Sequence, residues 1–74
     1  MTRHLDATGL ICPMPVLKAR KALTGMQAGE QLEVLTTDPA AHKDFEAFCE
    51  ATGHLLLSVT VDGDVTRFVI AKRG

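Results

Sequence analysis

Cys12, in the run Cys12-Pro13-Met14-Pro15, is the residue of this chain with the most obvious chemical potential. Prolines at 13 and 15 suit a helix start, because the first N–H groups of a helix have no intrahelical acceptor and a proline there forfeits nothing. On this reading Cys12 is the N-cap, Pro13 the first helical residue and Pro15 the third. The positive end of the helix dipole then faces the sulfur and favours thiolate over thiol. Two of the three N–H groups in that turn are missing and only Met14 keeps one. The expected effect is therefore moderate, a thiol somewhat more acidic than free cysteine. Thiolate is the form that attacks, binds metals or accepts a transferred atom. No side chain close in sequence is an evident general base, so no complete hydrolase or protease site is visible. A nucleophile without its own base suits a relay that receives a group and hands it on.

Other residues are read against that centre. Cys49 stands beside Phe48 at the edge of an apolar helical stripe and reads as packing rather than as a resolving thiol. Neither cysteine belongs to a Cys-x-x-Cys pair, which disfavours a thioredoxin-like oxidoreductase. His4, His42 and His54 are scattered singly, so no metal site is expected. Asp38 reads as a helix N-cap, and as a neighbour of Cys12 if the first two strands are parallel. Met14, Leu17, Lys18 and Lys21 form an outward stripe beside the sulfur. Apolar residues next to a reactive group, with cations alongside, make a candidate partner-docking face.

The elements that must position these residues follow from hydrophobic period. Arg3 to Ala7 is a short candidate strand, and Thr8 to Ile11 a turn into Cys12. From Pro13 the period is helical, with Val16, Ala19, Ala22, Leu23 and Met26 on one side. Gln31 to Thr36 alternates as a second strand, interrupted by Leu35. Thr37-Asp38-Pro39 opens a second helix, with Asp38 as N-cap and Pro39 as its first residue. Its stripe is Ala41, Phe45, Phe48 and Thr52, and Gly53 is a left-handed stop. Leu55 to Val61 places Leu55, Leu57, Val59 and Val61 on one face of a third strand. Asp62-Gly63 signals a hairpin into Val65 to Lys72. The order β-α-β-α-β-β predicts an α/β (α+β) two-layer sandwich, with two helices on one face of a mixed four-stranded sheet.

Composition bounds the function. Seventy-four residues make a single domain, 1–74, with a thin core. Hydrophobic residues at 46% and charged residues at 23% are ordinary for a globular fold. A net charge of −1 and the absence of Trp and Tyr argue against direct nucleic-acid binding. No apolar run spans a bilayer, and the N-terminus lacks the apolar stretch of a signal peptide. The expectation is a cytoplasmic protein, off the membrane, with both thiols free.

Leu5-Asp6, Gly9-Leu10 and Cys12-Pro13-Met14-Pro15-Val16-Leu17 together resemble the signature of the TusA-like sulfur carriers. The likeness continues through Gly29-Glu30, Thr37-Asp38-Pro39, Phe48-Cys49 and Gly53-His54. The resemblance implies the same sandwich with sheet order 1-2-4-3, its fourth strand antiparallel. It implies a sulfurtransferase-type carrier without independent turnover, in which Cys12 receives sulfur as a persulfide from a cysteine desulfurase or a rhodanese. A downstream relay protein accepts it, for tRNA 2-thiouridine formation, molybdenum cofactor assembly or sulfur oxidation. Beyond that transient persulfide no cofactor is implied, and a monomer is expected. Met14 departs from the acidic residue that often stands between the prolines in the tRNA-thiolation branch. A regulatory or adaptor domain, with Cys12 structural, is the alternative.

Overall fold

The computed structural model describes residues 2–74. Its elements are β1 (Thr2–Ala7), α1 (Met14–Thr24), β2 (Gln31–Thr36), α2 (Ala41–Thr52), β3 (Leu55–Asp62) and β4 (Val65–Ala71). One sheet runs in the order β1-β2-β4-β3, with β1 parallel to β2 and β4 antiparallel to both its neighbours.

Both helices lie against one face of that sheet, and the core is what they enclose. Leu32 and Val34 from β2 and Phe68 and Ile70 from β4 point inward and are buried. They meet Ala19 and Leu23 of α1 and Ala41, Phe45 and Cys49 of α2, which recur at helical spacing. Val16, Ala22 and Phe48 pack at the margin, and Met26 closes the end below α1. The other face of the sheet carries a polar cross-strand cluster, in which Glu33 takes His4 Nδ1 at 2.9 Å and Arg67 at 3.4 Å.

The structure differs from the expectations at the helix starts, within β3 and at the hairpin, and by a single residue at the outer ends of β1 and β4. Both helices begin later: Pro13 is the N-cap of α1 with Pro15 its second residue, and Ala40 is the N-cap of α2. The Asp38 main-chain carbonyl accepts from Ala41 N–H (3.1 Å) and its Oδ1 from Ala40 N–H (3.3 Å), so Asp38 closes a turn ahead of α2 rather than capping it. In β3 a bulge between Leu56 and Ser58 breaks the register, so that Leu56 and Val59 face the core while Leu55 and Leu57 are exposed. An extra residue in a strand switches the face of everything beyond it. The hairpin loop is Gly63-Asp64, one residue later than expected.

Gly53 ends α2 at φ +83°, where a side chain is disfavoured, and donates to Cys49 O at 2.8 Å. Next to it, His54 Nδ1 accepts Arg73 N–H at 2.9 Å, which ties the C-terminal strand end to the helix exit. Burial, then Lys72 and Arg73, hold its imidazole below the usual 6.5. A His with a lowered folded pKa contributes its full stability above the unfolded value near 6.5. That contribution is lost as the pH falls below it, because the unfolded chain takes the proton first. His54→Asn keeps an acceptor for Arg73 without titrating. Urea unfolding at pH 7.5 and pH 5.5 is expected to show the native chain losing more stability than the variant on acidification. Equal losses would remove His54 as the cause.

Candidate functional site

Parallel pairing of β1 with β2 sets up the site. The two strands stay in register to their last residues, Ala7 opposite Thr36, so the segments leading into α1 and α2 leave from the same edge of the sheet. Asp6 turns the first of them, its Oδ1 accepting both Thr8 N–H (3.0 Å) and the Thr8 hydroxyl (2.6 Å). Those two bonds hold the Asp6 carboxyl below its ordinary range. The two segments are then stitched together: Gly9 N–H donates to Thr37 Oγ1 at 2.9 Å and Cys12 N–H to Asp38 Oδ2 at 2.7 Å. One carboxylate thus fixes the main chain of Cys12 with one oxygen and the approach to α2 with the other.

Cys12 itself is exposed at the tip of α1, on a cis peptide with Pro13. Exposed apolar residues frame it: Ile11 at 75% of its surface, Met14 at 40% and Leu17 at 48%. Lys18 and Lys21 are exposed on the same helix. They stand about 6 and 10 Å further along the axis than Met14, so they extend away from the sulfur instead of flanking it. Cys49 is 6% exposed within the core, where burial pushes its thiol up.

The acidity of Cys12 reverses the expectation. Cys12 lies one residue outside the N-cap, and the N–H of Met14 is engaged by the Ile11 carbonyl at 2.8 Å. Pro13 and Pro15 have none to offer, and among the described residues no main-chain N–H donates to the Cys12 sulfur, so the bond that would reward a thiolate is not made. The groups that act on the sulfur are acceptors and anions. The Asp44 carboxylate, one turn into α2, raises the Cys12 pKa above its usual 9.0 chiefly by accepting from the thiol. Slight desolvation, the Asp44 charge and the Asp38 charge add in the same direction. Asp44 is the residue that sequence reading missed. The signal that brought Asp38 to Cys12, parallel β1 and β2, extends by one helical turn to Asp44.

Residues 3–72 match the family model described as Sulfurtransferase TusA. The chain belongs to the TusA sulfurtransferase family. Among TusA relatives, the sulfur carrier protein TusA of Allochromatium vinosum is 44% identical over 70 residues, which cover 95% of this chain and 92% of that protein. A Neisseria meningitidis protein, named provisionally as a sulfur carrier, is 53% identical over 69 residues, 93% of each chain. The crystal structure of a SirA-like protein from Desulfitobacterium hafniense superposes over the whole of both chains with a TM-score of 0.84 at 28% identity. This TusA-family member is therefore a sulfur carrier by kinship, and a sulfur carrier must meet a protein that gives sulfur and one that takes it.

Proposed function

We propose that Cys12 is the residue that carries the sulfur, as a persulfide received from a cysteine desulfurase or a rhodanese and passed to a thiol of the next relay protein. The observation that carries this reading is the contrast between the two cysteines. One stands free at a helix tip inside an apolar rim, and the other is sealed in the core. In loading, Cys12 Sγ attacks the terminal sulfur of the donor persulfide. The new S–S bond forms as the donor's breaks, and the donor cysteine leaves as thiolate. Delivery repeats the step with Cys12 as leaving group, so no net oxidation occurs and no cofactor is required. The relay depends on a free thiol, which suits a reducing compartment such as the cytoplasm. The test is intact mass after incubation with a cysteine desulfurase and cysteine, with a gain of one sulfur mapped to the peptide that contains Cys12.

The rim of Ile11, Met14 and Leu17 would seat the partner, with Lys18 and Lys21 drawing an acidic surface toward it. Exposed charges act mainly on encounter rate and fade with salt. The double variant Lys18→Glu/Lys21→Glu is expected to load about tenfold more slowly at low ionic strength. The difference should close as salt is raised, and the melting temperature should stay near that of the native chain. Equal rates across the salt series would show that the lysines serve only solvation.

A further inference from the structure

The two edges of the sheet differ in a way that the fold alone does not require. β1 and β3 are the outer strands, so each turns a row of main-chain N–H and C=O groups away from the sheet. β1 carries Arg3, His4 and Asp6, charges of the kind that discourage a further strand. β3 has no charged residue from Leu55 to Val61, and Leu55, Leu57 and Val61 expose 61%, 49% and 70% of their surface. The charges of this edge stand at its ends and differ in sign. Asp62 closes the strand and Asp64 follows in the hairpin, while Lys72 and Arg73 come directly after Ala71, the pairing partner of Leu55. An antiparallel copy of the same strand sets each acidic end beside a basic one.

The pleat decides how such a copy fits. Beyond the bulge the ladder from Ser58 to Asp62 is regular. Val59 pairs with Phe68 and Val61 with Thr66 on the helix side, while Ser58, Thr60 and Asp62 lie on the open side. Two such segments match face for face about a two-fold axis between their Thr60 residues, with Val61 of each against Val59 of the other. We propose that β3 is a self-association edge, on which a second copy of this chain adds its own β3 antiparallel to make an eight-stranded sheet. The exposed Val61 is covered, and the Asp62–Asp64 hairpin of each copy reaches toward the Lys72–Arg73 end of the other. The bulge keeps the ladder short, so the contact is small and half association falls on the order of 100 µM. The monomer expected from the sequence is then the dilute form. Helix α1 packs on β1 and β2, away from β3, so both Cys12 sulfurs stay open in the dimer.

Sedimentation equilibrium of the reduced chain, from about 10 µM to about 1 mM, should show the mass rising from one chain toward two. Val61→Lys alters a side chain that is mostly in solvent in the single chain. It should keep the native circular dichroism and associate about tenfold more weakly. Arg3→Glu, on the opposite edge, should associate as the native chain does. Thr60→Cys in a Cys12→Ser/Cys49→Ala background should form a disulfide-linked dimer under mild oxidation. Leu55→Cys in the same background lies about 30 Å from its own copy in this register and should stay unlinked. A native chain that remains single at about 1 mM would overturn the proposal. So would Arg3→Glu weakening association as much as Val61→Lys, or Thr60→Cys linking no better than Leu55→Cys, since either places the contact elsewhere.

Discussion

Cys12→Ser is expected to take up no sulfur when incubated with a cysteine desulfurase and cysteine, while Cys49→Ala loads as fully as the native chain. The size of the first effect follows from chemistry: a serine oxygen at this exposed tip cannot form the S–S bond that holds the cargo. The absence of the second follows from burial. A donor's persulfide has to reach a sulfur, and Cys49 lies in the core among Ala41, Phe45 and their neighbours, where its pKa is raised by desolvation and little thiolate is present. Alanine is the better probe at 49, because serine would bury a hydroxyl on an apolar surface at about 1–3 kcal/mol and confuse loss of sulfur with loss of fold. Intact mass reads both variants. Loading that survives Cys12→Ser would move the carrier role elsewhere, and failure of Cys49→Ala with the fold intact would make the buried thiol a participant.

The comparison of Cys12 with Asp44 shows where sequence reading stops. Elements written in local pattern were legible: the alternation of β2, the stripes of both helices, the stop at Gly53 and the hairpin near Gly63. The sandwich followed from the order of those elements and the strand order from the family resemblance, and the strand pairing agrees with both. What was misplaced depended on partners far along the chain. A proline at position 13 is compatible with either the N-cap or the first helical residue. The tie was broken by Asp38, twenty-six residues on, which holds the Cys12 main chain outside the helix. The bulge at Leu57 is set by pairing with β4, and four leucines and valines in alternation read as a regular strand without it. The acidity of Cys12 failed for the same reason. Helix position alone argued for a more acidic thiol, yet the groups that raise its pKa are Asp44, first as an acceptor, and Asp38, last as a charge. They belong to the second helix and the turn before it, which leave the sheet at the same edge as the Cys12 segment because β1 and β2 are parallel.

Phe45→Ala is expected to leave the chain largely unfolded near 37 °C. A domain of this size has about 4–11 kcal/mol of stability in all, and emptying a fully buried phenylalanine position removes about 3–5 kcal/mol of it. Phe45 has no exposed surface, and its ring lies 4.7 Å from that of Phe68 at an interplanar angle of 31°. That pair joins α2 to the central strand β4. With three phenylalanines and no tryptophan or tyrosine in the chain, little else of similar size can fill the gap. Phe48→Ala supplies the contrast. Its side chain sits half out of the core and should forfeit roughly half as much. Phe45→Leu, which keeps most of the volume, should recover a folded protein. Thermal melts followed by circular dichroism measure all three. For Phe45→Ala the midpoint should fall by about 20 °C or more, since each kcal/mol moves a domain of this length by about 4–8 °C. Because the turn ahead of α2 also carries Asp38, which holds the main chain of Cys12, the same variant should lose sulfur loading in step with its folded fraction. A Phe45→Ala protein that melts within a few degrees of the native chain would show that the two layers are held together mainly by the aliphatic contacts of α1 with β2.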